Sequence, residues 1–227
     1  MIPWEALGRT KAPGGSELSL HRRGTEYVIR VDGQELMGSR QHGSEDALAQ
    51  LGCKGLEQVA GARVLIGGLG MGFTLRAALD VLGPKAAVQV AELVPAVIEW
   101  NRGPLAELAG APLDDSRVSV FSGDVVELIA QSRSRYDAIL LDVDNGPEAL
   151  TSPGNAKLYG PAGLTRASAA LKPHGLLVVW SVTEEPKFTA KLTRAGFEVQ
   201  LERVLARHNG AKRGGKRHVL WLARKRG

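Results

Sequence analysis

The chain has 227 residues, 44% of them apolar and 23% charged, and a formal net charge of +5. This is the composition of a soluble globular chain with one well-buried core. No apolar run approaches the ~20 residues of a membrane span, and a lone cysteine, Cys53, excludes an internal disulfide.

The charge is uneven. From Arg203 onward there are nine Lys/Arg and no Asp/Glu, so the rest of the chain carries a net −4. The opening stretch, MIPWEALGRTKAPGG, has neither a basic n-region nor an apolar h-region. No secretory signal is expected, and with one thiol the expected location is cytoplasmic. Cys53 reads as a small core residue rather than a reactive thiol. Five scattered histidines give no ligand spacing, so no metal site is expected.

In chain order, ELSLHR and TEYVIRV read as two short strands of an N-terminal hairpin, with a turn at Asp32-Gly33. A helix is predicted from Ser44, through LAQLGCKGLEQVA, with Ser44, Glu45 and Asp46 at its start. From Arg63 strands and helices alternate: RVLIGG, then GMGFTLRAALDVLG; AVQVAEL, then VPAVIEWNRGPLAELAG; RVSVFSG, then DVVELIAQS; YDAILLDV, then LTRASAALKPHG; GLLVVWSV, then EPKFTAKLTRAG. FEVQLERVLA and RHVLWLAR close the chain as two strands facing each other across HNGAKRGGK.

Strands that are apolar along their length and alternate with helices predict a parallel sheet covered on both faces. Right-handed crossovers make it a doubly wound α/β fold. The terminal hairpin forces one strand antiparallel. Six parallel strands and one antiparallel strand is the layout of the class I methyltransferase fold, here preceded by a small N-terminal β segment. The expected division is 1–42 for that segment and 43–227 for the main domain.

The first parallel strand runs into Gly67–Gly72, GGLGMG, and then a helix. Glycines let backbone approach a ligand, and the helix start supplies unpaired N–H groups. Gly68, Gly70 and Gly72 give GxGxG, not the GxGxxG dinucleotide fingerprint. The second strand ends in Glu92, whose carboxylate can accept both hydroxyls of a ribose. The third ends in Ser122-Gly123-Asp124, where Asp124 can accept from an adenine amino group or cap the next helix. All three lie at the carboxyl ends of consecutive strands, where open α/β sheets bind ligands, and together they predict an adenosine site.

GGLGMG, AELVPAVIEWNR, SGD and YDAILLDVD together resemble the S-adenosylmethionine-dependent methyltransferase fold, and more narrowly the spermidine synthase (polyamine aminopropyltransferase) family. The resemblance covers about Thr25 to Gly196. It implies a sulfonium donor, S-adenosylmethionine or its decarboxylated form, held by Gly67–Gly72, Glu92 and Asp124. It implies a catalytic role for Asp142. Pro147 and Leu158-Tyr159 match more loosely, and Asp144 is not a clean match to the family's second acid. The family's loop acid falls on Gly70, its glutamine after the fifth strand falls near Trp180-Ser181, and its Tyr-His-Glu becomes His42-Gly43-Ser44-Glu45.

Asp142 and Asp144 stand where the fourth strand leaves the sheet. Carboxylates there can orient an amine, favour its approach to the sulfonium carbon and take its proton. If the strand continues through Val143 the two share one face, and repulsion would raise one pKa. The alternative is two polar residues capping a strand. Tyr159 lines a lid over the site or sits in the core. Arg40, His42 and Glu45 form a polar cluster that could touch substrate or be a solvated helix start.

Gly70 puts no acid beside the donor's tail, so the carboxylate of intact S-adenosylmethionine would not be repelled. The basic hairpin loop AKRGGKR would disfavour a polyamine. Both favour methyl transfer to a small-molecule amine, whereas the Asp142/Asp144 pair favours an amine acceptor of either chemistry. Aminopropyl transfer is the first alternative. An RNA-directed methyltransferase or a noncatalytic adenosine- or nucleic-acid-binding protein is the second. The basic segment lacks interleaved aromatics, so nucleic acid is the less favoured partner. An exposed N-terminal β segment could pair two copies into a homodimer.

Overall fold

The structure is a computed structural model describing residues 2–143, 154–207 and 215–227, with the side chains of 154–156 set aside. Asp144, the Asn145-Gly146-Pro147 turn and most of the basic hairpin loop lie outside the described residues.

The N-terminal part is a four-stranded antiparallel sheet, not a hairpin. Strands β1 (Glu5–Lys11), β2 (Glu17–Arg23), β3 (Glu26–Val31) and β4 (Gln34–Gly38) lie in sequence order. The two inner strands are the ones legible from alternation. β1 is irregular at Gly8, and β4 is a five-residue edge strand with little apolar signal. Gly8 is where β1 meets the main body: a Cβ there would lie 2.5 Å from Trp100 Nε1.

The main sheet contains β5 (Arg63–Gly67), β6 (Ala87–Glu92), β7 (Val118–Ser122), β8 (Tyr136–Leu141), β9 (Leu171–Ser181), β10 (Phe197–Leu205) and β11 (Arg217–Lys225). Their order is β10-β11-β9-β8-β5-β6-β7. β11 runs antiparallel to both neighbours, and the other described pairings are parallel. This is the predicted doubly wound sheet with one reversed strand.

Among the described residues seven α-helices connect the strands: α1 (Gly43–Cys53), α2 (Phe73–Val81), α3 (Pro95–Arg102), α4 (Val125–Gln131), α5 (Gly154–Tyr159), α6 (Pro161–Ala170) and α7 (Pro186–Arg194). Three are shorter than periodicity predicts, each for a local reason. α1 stops at Lys54, before Gly55 at φ +86°. α3 stops at Gly103 because Pro104 offers no N–H to continue it. α6 gives way to β9 at Leu171, ahead of Pro173.

Two cores flank the sheet, separated by strand alternation. Ala138 and Leu140 of β8, Val178 and Trp180 of β9 and Leu220 of β11 pack with α1, α2, α3 and the N-terminal sheet. Ile139, Leu141, Val179 and Trp221 pack with α4, α6 and α7 on the other side. Asp142 continues the phase of Ala138 and Leu140, so the fold presents it toward α1 and α2.

Candidate functional site

β5 ends at Gly67, and the chain crosses the end of β8 before entering α2. Gly68 N–H donates to Ala91 O, and Asp142 N–H donates to Gly67 O, so three strand ends are tied together at one point. Gly68 sits at φ +89°, and a Cβ on it would lie 2.2 Å from the Asp142 carbonyl oxygen. Glycine is required there by the crossing of two chain segments as well as by backbone conformation. Asn101 of α3 pins the loop by donating its Nδ2 to Gly70 O at 2.9 Å.

Glu92 is buried at the end of β6. Its Oε2 accepts from Leu69 N–H at 2.9 Å and its Oε1 from Val94 N–H at 2.8 Å. Burial pushes its pKa up, and these backbone donors oppose that shift. Each oxygen keeps acceptor capacity for a sugar hydroxyl, so the carboxylate both braces the loop and fits a ribose. Leu93 beside it is exposed, giving an apolar surface next to that carboxylate. Asp124 caps α4, its Oδ1 accepting from Val126 N–H at 2.9 Å. Its second oxygen makes no described hydrogen bond. These groups fit an adenosine-bearing ligand at the carboxyl edge of β5, β6 and β7.

Asp142 accepts from the Thr74 hydroxyl at 2.7 Å. Burial pushes its pKa up to about 6, against the pull of that hydrogen bond. Among the described residues, Asp142 acts electrostatically on Glu45, in the first turn of α1. Burial, and then the charge of Asp142, raise the Glu45 pKa to about 8. The carboxyl group that feels the charge of Asp142 thus comes from α1. Asp144, expected to be that partner, is outside the described residues.

The expected Arg40, His42 and Glu45 cluster separates into three environments. Arg40 pairs with Glu26 on β3 at 3.3 Å. His42 stacks on Phe73 at 4.1 Å between ring centroids, with Nδ1 2.8 Å from Asp46 Oδ2. Of the three, Glu45 is the one whose pKa the charge of Asp142 raises. Tyr159 takes the core placement: it is 2% exposed, in the second core, edge-on to Phe188.

Thr74, Asn101 and Ser44 were not singled out in the sequence as contributors to this crevice, nor was Met37 of β4. The Met37 Cε would lie 2.9 Å from a Cβ on Gly70, so its thioether covers the place where the family carries its loop acid. Thr74 and Asn101 have a retrospective signal, a polar residue on the buried face of a helix beside the glycine loop. Met37 has none, because the contact depends on how β4 docks.

A family model for the spermine/spermidine synthase domain matches residues 47–200, which include the glycine loop, Glu92, Asp124 and Asp142. The chain belongs to the spermine/spermidine synthase family. A polyamine aminopropyltransferase of Bacillus mycoides is 35% identical over 137 residues, covering 60% of this chain and 46% of that protein. The chain therefore matches less than half the length of that relative. The spermidine synthase of Thermotoga maritima superposes with a TM-score of 0.72 at 17% identity, covering 97% of this chain and 72% of that one. A spermidine synthase in complex with the transition-state analogue AdoDATO gives a TM-score of 0.70, also at 17% identity and with the same coverage. At that identity the superpositions establish the shared fold. Family membership rests on the matched domain.

Proposed function

We propose that the chain is an aminopropyltransferase that moves the aminopropyl group of decarboxylated S-adenosylmethionine to an aliphatic amine. The observation that carries this reading is Asp142, its backbone N–H tied to Gly67 O at the glycine loop and its carboxyl held by the Thr74 hydroxyl, inside the matched spermine/spermidine synthase domain. The aminopropyltransferase activity of the Bacillus relative supports it.

This reverses the preference for methyl transfer drawn from Gly70. That preference treated the missing loop acid as leaving room for a donor carboxylate. Met37 instead covers Gly70 with an apolar thioether. Asp142 remains as the acid at the edge of the loop. A cationic donor tail and an amine acceptor are both favoured by such a carboxylate, and a donor carboxylate is disfavoured.

The donor supplies an electrophilic carbon on a sulfonium sulfur. The chain's own residues bind and orient. Glu92 accepts the sugar hydroxyls, Asp124 accepts from the adenine amino group, and the N–H groups of the glycine loop face the donor. Asp142, kept partly buried and aimed by Thr74, orients the acceptor and takes its proton. Calorimetry with the two donors tests the reading. Tighter binding of decarboxylated S-adenosylmethionine is expected, and a clear preference for the carboxylated donor would restore methyl transfer.

A further inference from the structure

The glycine loop presents three α-carbons to three different neighbours. A Cβ on Gly68 would meet the Asp142 carbonyl oxygen, and one on Gly72 would meet Asn101 Oδ1 and Pro112, so both face packed chain. Gly70 differs. Apart from its chain neighbours, the described atoms within 4 Å of its Cβ position are two from one side chain, the Met37 Cε at 2.9 Å and Sδ at 3.3 Å. The backbone beneath is fixed, because Gly70 O accepts from Asn101 Nδ2 and Leu69 N–H donates to Glu92. Met37 and Gly70 are both half-buried. A rigid turn is therefore covered at its middle by the far end of one flexible side chain.

Met37 comes from outside the matched family domain, which begins at residue 47. It stands on the edge strand β4, paired with Ile29 of β3. A second contact sets how this segment sits. His42, in the connection from β4 to α1, stacks on Phe73, the first residue of α2, at 4.1 Å between ring centroids. The N-terminal segment thus touches both the loop and the helix that follows it.

On the aminopropyl reading of the site, on which this inference rests, the loop faces a donor tail. In decarboxylated S-adenosylmethionine three methylenes separate the sulfonium from an ammonium. In the intact donor the carbon that bears the nitrogen also bears a carboxylate. Methylenes pack well against a thioether, which is apolar and polarisable. A carboxylate pressed against it gives up water and receives no hydrogen bond in return, because a thioether sulfur has no proton to donate. Asp142, held at the edge of the loop by the Thr74 hydroxyl, attracts the ammonium and offers the carboxylate nothing.

We propose that Met37 is a specificity-determining residue for the donor: its thioether, brought in from outside the matched domain, keeps a carboxylate out of the space over Gly70. Selection of this kind places an unfavourable contact against the wrong ligand rather than a stronger one on the right ligand. The unbranched side chain suits the task, since its rotatable bonds let it follow the methylenes of the tail. Met37 takes no part in bond making.

Calorimetry with decarboxylated S-adenosylmethionine, the intact donor and methylthioadenosine tests the assignment on the parent and on Met37→Ala, Met37→Gln and Met37→Leu. Methylthioadenosine lacks the charged tail and reports on the adenosine part alone, so all four proteins should bind it equally. Met37→Ala is expected to tighten the intact donor and lower the ratio of the two donor affinities about tenfold, the low end of what one apolar contact discriminates. Met37→Gln keeps the length and adds an amide N–H for the carboxylate, and should lower the ratio at least as far. Met37→Leu, apolar and of similar volume, should keep the parent ratio. An unchanged ratio in Met37→Ala and Met37→Gln would overturn the proposal. A parallel loss of affinity for all three ligands would overturn it too, as the mark of a loop that needs Met37 only for its shape. A parent that prefers the intact donor refutes aminopropyl transfer, whereas the change of ratio on substitution decides the role of Met37 whichever donor the parent prefers. Binding of neither donor refutes both.

Discussion

Replacing Gly68 by alanine tests whether the glycine loop is built around the end of β8. Two costs are expected. At φ +89° an L-residue is strained, by roughly 1–2 kcal/mol. The added Cβ would also lie 2.2 Å from the Asp142 carbonyl oxygen, a backbone atom that cannot swing aside. Overpacking of that kind costs roughly 1–3 kcal/mol more. Gly196 supplies the control: its φ is +91°, and nothing lies within 4 Å of a Cβ placed on it. Gly196→Ala should therefore carry only the first cost. Reduced unfolded-state freedom offsets both variants by up to about 1 kcal/mol and cancels in the comparison. At about 2–4 °C per kcal/mol for a chain of this size, Gly68→Ala should melt roughly 4–20 °C below the parent, and Gly196→Ala roughly 2–8 °C below it. Calorimetric melts of the three proteins measure the difference. Donor affinity should fall in Gly68→Ala alone, because relief of the clash moves the glycine loop that faces the donor. Equal melting temperatures for the two variants, with unchanged donor binding, would refute the steric account.

Asp142→Asn should leave donor binding nearly intact and cut turnover by about 10²-fold or more, as loss of an acid–base group does; equal turnover would remove Asp142 from the chemistry. Glu45 should impose a pH dependence on stability. The folded carboxyl holds its proton up to about 8, whereas the unfolded chain releases it near the ordinary glutamate value of 4.5. The native state binds more protons between those values, so stability falls as pH rises across that window. Glu45→Gln should flatten that fall in urea melts at stepped pH, and an unchanged slope would contradict the assignment. Cys53 is fully buried and burial pushes its pKa up to about 12. A thiol reagent at mildly alkaline pH should label it only after denaturation, and rapid labelling of the folded protein would contradict its core placement.

The doubly wound, mostly parallel character of the main sheet follows from the sequence because apolar strands separated by helices allow few topologies, and the Gly-rich terminal connection reverses one strand. The residues at strand ends were legible for the same reason. Gly68, Glu92 and Asp124 occupy fixed places relative to β5, β6 and β7. Their local bonds were less legible. Glu92 braces the loop through Leu69 and Val94, a contact between a strand end and a neighbouring turn that no spacing encodes. Asp144 lies outside the described residues, and the carboxyl group that Asp142 acts on among them, Glu45, comes from nearly a hundred residues away, a relation no local spacing encodes. His218 read as one residue of an alternating strand, and its bond to Ser44 depends on β11 inserting beside β9. Helix ends were overrun at Gly55 and Pro104, where a single residue overrides a continuing apolar period. β1 and β4 were missed because edge strands bury too little to show alternation.

The most direct measurement is the identity of the nucleoside left after reaction with an aliphatic diamine. With decarboxylated S-adenosylmethionine, mass spectrometry should find methylthioadenosine and a diamine enlarged by one aminopropyl group. Formation of S-adenosylhomocysteine and a methylated amine from the intact donor, with no product from the decarboxylated one, would contradict the account.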